Sequence, residues 1–110
     1  MNNFTKISKQ QEIITNVHNE LKNKIHNYDM DELLWRIESS KWNVELSYHI
    51  DEGDYGAMQE VTRFVSNFAI MKGKNAHETT NWVTLSVCQK FTFEIQDVKV
   101  DVSVWMPYKK

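Results

Sequence analysis

The sequence predicts a single small α+β domain, with elements in the order α-α-β-α-β-β and the helices packed on one face of a mainly antiparallel sheet. Three observations lead there. Two early segments repeat apolar residues at helical intervals, residues 42–51 alternate strictly between apolar and polar, and residues 82–106 hold two alternating runs that match as a hairpin. The 110 residues suit one hydrophobic core and are too few for two ordinary domains, so residues 1–110 are read as one unit.

In "SKQQEIITNVHNELKNKIHNY", Ser8 and Gln11 have capping-box spacing, and Ile13, Ile14, Val17, Leu21, Ile25 and Tyr28 follow at helical intervals. This predicts a first helix over about 9–27. In "DMDELLWRIES", Asp29 is an N-cap with Glu32 three residues on, and Met30, Leu33, Leu34 and Ile37 make one stripe, which predicts a shorter second helix. Trp35 lies off the stripe, either half-buried against the neighbouring helix or exposed as an anchor.

"KWNVELSYHID" turns Trp42, Val44, Leu46, Tyr48 and Ile50 one way and Asn43, Glu45, Ser47, His49 and Asp51 the other, the period of a half-buried strand. A third helix is expected over about 56–72, where Ala57, Val61, Phe64, Val65, Phe68 and Met71 recur at helical spacing and Gly73 stands at the C-cap. The segment is rich in β-formers, so a bent strand is the alternative. "KNAHETTN" reads as a polar loop. Beyond it, Val83, Leu85, Val87, Phe91, Phe93 and Ile95 share one strand face, and Val98, Val100, Val102, Val104 and Met106 share that of a final edge strand. A tight turn at Gln96 and Asp97 sets Ile95 opposite Val98, Phe93 opposite Val100, Glu94 opposite Lys99 and Cys88 opposite Trp105; a longer loop could keep the same register.

Composition excludes several classes. Apolar residues are 41% and aromatics 12%, with three glycines and one proline, which describes a chain that folds. No stretch approaches the ~20 apolar residues of a membrane span, and "MNNFTKISKQQ" lacks the apolar core of a secretory signal, so a cytoplasmic location is expected. Cys88 is the one cysteine, leaving no disulfide framework and no cysteine-based zinc spacing. Eleven lysines against two arginines, ten asparagines and three alanines suggest an AT-rich genome, such as that of a low-GC bacterium or its phages.

Chemical motifs are sparse. "HIDEGD", residues 49–54, gathers His49, Asp51, Glu52 and Asp54, but no second histidine, HExxH or calcium-loop pattern accompanies them. Turn geometry at Gly53 and Gly56 and a cap at Asp54 account for the segment; a small metal-dependent enzyme using His49, Asp51 and Glu52 is the rival reading. His18 and His26 are eight residues apart on the first helix and are expected in solvent, His77 sits beside Glu78 in a loop, and Cys88 is read as an inert thiol. No catalytic residue, cofactor or metal ligand is assigned.

Charge is lopsided: residues 29–60 carry a net −7, against +2 before and +3 after them. The leading expectation is therefore a non-enzymatic binding protein, an inhibitor or regulator whose acidic surface engages a basic protein partner. Its contacts would be Asp29, Asp31, Glu32, Glu38, Glu45, Asp51, Glu52 and Asp54, with Trp35 as apolar anchor. In kind, a tiny acid-patched chain of AT-rich composition is similar to phage and mobile-element proteins that bind a host protein, anti-CRISPR and other anti-defence inhibitors among them, though no motif carries the likeness. The alternative is a single-stranded nucleic-acid module using Trp82, Lys90, Lys99 and Trp105 on the outer face of the last hairpin, beside Cys88. The acidic balance and scarce arginine argue against nucleic acid. Trp105 outward on an edge strand also predicts a homodimer, joined through the last hairpin or the first helix.

Overall fold

The computed structural model describes residues 3–108. In chain order the elements are α1 (Asn3–Lys24), α2 (Met30–Leu33), β1 (Leu34–Ser39), β2 (Val44–His49), α3 (Tyr55–Lys72), β3 (Lys74–Val83), β4 (Ser86–Ile95) and β5 (Val98–Pro107). They form an α+β domain in which one five-stranded sheet, ordered β1-β2-β5-β4-β3, carries the helices on one face. β2 and β5 run parallel; the other neighbouring pairs are antiparallel.

α1 buries Ile13, Ile14, Val17 and Leu21 of the expected stripe but ends at Lys24, short of the expected 27, so Ile25 and Tyr28 lie in the loop beyond it. It starts earlier than the Ser8 cap implies, because the polar turn before Ile13 has partners of its own: Gln10 Nε2 donates to the Ser40 carbonyl at 3.0 Å and Lys9 Nζ to the Gln96 carbonyl at 2.9 Å. Asp29 caps α2 as expected, accepting from the amides of Asp31 and Glu32. The helix then stops after one turn, a correction to the longer second helix. Leu34 turns extended (φ −64°, ψ 121°), and the next residues pair with β2. A single turn gains few internal hydrogen bonds, so a ladder to an existing strand wins over helical spacing.

Trp42 is not in a strand and not inward; it stands 74% exposed in the β1–β2 turn, where Ser40 closes the loop onto Asn43. Residues 55–72 are helical, so the bent-strand alternative falls. "KNAHETTN" is not a loop. With Trp82 and Val83 it makes β3, an edge strand exposed along its whole length, which lacks the alternation that only a buried face imposes. The chain then turns at Thr84 and Leu85 (φ 68°), which leaves Val83 and Leu85 exposed and not on the core face.

The hairpin of β4 and β5 has the expected register, Cys88 opposite Trp105 and Glu94 opposite Lys99 included. Gln96 and Asp97 make the tight turn with φ 51° and 65°, both left-handed, the geometry that matches strand twist. β5 is central, however, and not an edge, so its edge cannot join two chains. Val100, Val102 and Val104 are fully buried between β2 and β4, the middle of a core shared with Tyr48, Phe93, Val61 and Val65.

His18 is buried, contrary to the solvent position expected for it. Its Nδ1 lies 2.6 Å from Tyr48 Oη and its Nε2 2.7 Å from Asp31 Oδ1, while Lys22 reaches the other oxygen of Asp31. Burial, and then the nearby Asp31 charge, pushes the Tyr48 phenol far up, so it is a neutral donor. With the proton on Nε2, the His18 ring donates to Asp31 and accepts from Tyr48, and every group is served. This relay ties α1 to α2 and β2, three elements that the sequence pattern treats as separate.

Hydrogen bonds from Lys22, and then from His18, hold the Asp31 carboxyl below its ordinary value, so folding favours its ionised form. That contribution is complete above the ordinary carboxylate range and is lost as pH falls through the depressed value. Asp31→Asn should flatten the loss of stability below about pH 4 in urea denaturation series. Gly73 is needed for a close approach: a Cβ there would stand 2.7 Å from Phe93 Cβ and 2.9 Å from the Ala69 carbonyl, although φ is an ordinary −103°. Gly73→Ala should lower stability by about 1–3 kcal/mol in the same assay.

Candidate functional site: the helix-free face of the sheet

The sheet face away from the helices is built by the residues that alternate with the core valines. Across it, at one end, register sets Asn81, Cys88, Trp105 and His49 side by side. Trp35, displaced by the bulge between Leu34 and Arg36, lays its ring 4.3 Å from that of His49, and the Arg36 guanidinium stands 4.9 Å from the Trp35 ring. Trp35 remains 53% exposed. Burial pushes the His49 pKa down, which favours the uncharged ring under the indole.

The middle of the face is laced by two carboxylates. Glu45 of β2 reaches across β5: Ser103 Oγ donates to its Oε2 at 3.0 Å, and Lys90 Nζ from β4 is 3.3 Å from the same oxygen, with Arg36 4.0 Å from Oε1. Asp101 of β5 accepts from Thr92 Oγ1 at 2.6 Å and from Asn43 Nδ2. Ser47, Ser103 and Cys88 lie beneath, almost wholly buried. Glu45, Asp101, Ser103 and Thr92 find partners across the strands, while the buried Ser47 hydroxyl has none among the described residues.

The acidic residues singled out from the sequence are not one free patch. Asp29 and Asp54 are helix caps, Asp31 is held by Lys22 and His18, Glu38 lies 3.5 Å from Arg36, and Glu45 is bridged as described. Glu32, Asp51 and Glu52 are exposed without a side-chain partner among the described residues. The 49–54 corner is a turn: Gly53 has φ 72° and donates to the Pro107 carbonyl, and Asp54 accepts from the Ala57 amide. His49 points to Trp35 on the sheet face, and no group of three or more His, Cys, Asp or Glu among the described residues is placed to hold a metal ion.

Of the second predicted surface, Cys88, Lys90, Lys99 and Trp105 do share the helix-free face. Trp82 does not join them. It pairs with Val87 on the helix side and stacks on Tyr108 at 5.4 Å. Lys90, moreover, is occupied by Glu45, which weakens its claim on a phosphate backbone. Arg36, Asp101 and Ser103 also build this face, though no sequence motif marks them. The last two were within reach, since they alternate with Val100, Val102 and Val104, whereas Arg36 was hidden in a segment read as helix.

Comparisons of the chain with family models, with curated proteins and with solved structures return no match. Among the described residues no helix is long and apolar enough to cross a membrane. The class that fold and site define is thus a small α+β domain with an aromatic and charge-laced sheet face.

Cys88 offers a direct check of this face. Burial raises its pKa against the lowering effect of Lys90, so the thiol is protonated and shielded. A thiol-reactive dye should label it slowly in the native protein and at the rate of an open cysteine in denaturant. Fast native labelling would mean that the face is not packed as described.

Proposed function

We propose that this chain is a non-enzymatic binding protein that inhibits or regulates a protein partner with a basic surface, and that the β1 end of the helix-free face makes the contact. One observation carries the reading: Trp35 is presented half-exposed on a strand, backed by His49 and flanked by Arg36, Glu38 and Glu45. A large aromatic already held by its neighbours loses little freedom on binding, and buried aromatic anchors with paired charges at the rim supply most of the energy of many interfaces. The net −7 of residues 29–60 supports a basic partner, with Glu32, Asp51 and Glu52 as charge free to steer its approach. A cytoplasmic setting in a low-GC bacterium or its phages, and an anti-defence role there, belong to this proposal on composition alone.

The experiment is affinity capture from a low-GC bacterial lysate at low and raised salt, with Trp35→Ala and Glu38→Lys run beside the wild type. The expected result is a protein retained at low salt, released by salt, and lost with Trp35→Ala at a cost of about 2 kcal/mol or more in follow-up binding measurements. A captured protein that both variants retain equally would put the contact elsewhere. Recovery of nothing at low salt would remove the proposal.

A further inference from the structure

Both edges of the sheet are open, and they are built differently. β1 has six residues, a bulge between Leu34 and Arg36, and the charges of Arg36 and Glu38. Charges and bulges are the means by which edge strands resist pairing. β3 has ten residues, all exposed, and beyond its bulge between Lys74 and His77 it runs through "HETTNWV" with no lysine, arginine or proline and with Glu78 as its one carboxylate. Beside this strand α3 leaves Ile70 and Met71 69% and 73% exposed, and at its far end Trp82 is 71% exposed. Between α3 and β3 lies a groove of about 200 Å3 walled by Ala69, Ile70, Ala76 and Phe91 together with the polar Ser66, His77 and Glu78. An edge open beyond its bulge, next to a partly apolar groove, is the arrangement to which an extended strand adds.

We propose that the occupant is β3 of a second copy, paired antiparallel about a two-fold axis through Thr79, with Trp82 of each chain seated beside Ile70 of the other. The strand is self-complementary in this register. A two-fold axis normal to the sheet keeps both helical layers on one side, so it must pass through a residue, and few choices exist. Centred on Glu78, two carboxylates meet; centred on Thr80, Trp82 faces Glu78; centred on His77, Trp82 has no strand opposite it. Centred on Thr79, threonine meets threonine, Glu78 meets Thr80, His77 meets Asn81, and Trp82 reaches the bulge at Ala76. No charges oppose, and directly opposed threonines are a favourable cross-strand pair. Glu78 and Trp82 lie on the helix side, since they pair with the core residues Phe91 and Val87, so each Trp82, turned out from its stack on Tyr108, reaches the groove that Ala76 and Ile70 line. One contact then covers Ile70 and Trp82 together. This interface lies away from the Trp35 surface and stands whether or not the preceding proposal does.

Sedimentation equilibrium across the micromolar range should give about twice the chain mass of 13.1 kDa. Thr79→Lys sets two ammonium groups face to face and should weaken the dimer roughly tenfold or more, with unchanged far-ultraviolet circular dichroism. Thr79→Cys should cross-link the pair under mild oxidation, because opposed residues sit about 4.5–5.5 Å apart at Cα. Glu78→Cys should not, since its copies lie diagonally at about 7–8 Å or more. A single-chain mass throughout, a dimer indifferent to Thr79→Lys, or cross-linking through position 78 in place of 79 would each overturn the proposal; the first would leave the edge to a foreign peptide.

Discussion

Everything in this domain hangs on the parallel pairing of β2 with β5. It joins the β1–β2 hairpin under α1 and the β3–β4–β5 meander under α3 into one sheet over one core. It encloses Val100, Val102 and Val104 on both flanks, and it sets His49 beside Trp105. A parallel pair needs a long crossover, and here the crossover is α3 with the first two strands of the meander. Because β5 is spent in the centre, β1 and β3 become the edges, and the outward face of β5 becomes the middle of the helix-free surface.

Two polar devices make that assembly specific. On the helix side, Tyr48, His18 and Asp31 form a chain of hydrogen bonds that fits one arrangement of α1, α2 and β2, because a shift of any member leaves a buried group unpaired. On the other side, Glu45 and Asp101 bridge β5 to its neighbours, where a single-layer sheet would otherwise lie bare. Both devices draw on the acidic residues that make the middle of the chain so negative. Much of that charge is therefore structural, and what remains for recognition is the ordered aromatic at Trp35 with a few free carboxylates around it.

How much of this was legible depended on whether one face of a segment was buried. α1, α3, β2 and the β4–β5 hairpin each bury a face, and their periods named them, down to the register that puts Cys88 opposite Trp105. β3 buries no face, so "HETTN" carries no period to read, and β1 is a strand because β2 offers it a ladder, not because its own spacing asks for one. Of the candidate surface, Trp35, Glu38, Glu45 and Lys90 are legible in the sequence, as is the pairing of Cys88 with Trp105, but the contacts of Trp35 with His49 and of Glu45 with Ser103 and Lys90 are not.

The sequence by itself determined the class of fold, most of the core residues though not Trp42, Met71, Val83 or Leu85, the helix caps at Asp29 and Asp54 and the Gln96–Asp97 turn, because burial period and capping chemistry act over a few neighbouring residues. Tertiary structure alone decided that His18 is buried, that β5 is central, that Trp82 and Trp105 lie on opposite faces, and that Gly73 must admit Phe93. Each of these turns on a contact between residues far apart in the chain, and local spacing holds no record of which distant strand or side chain will arrive to make it.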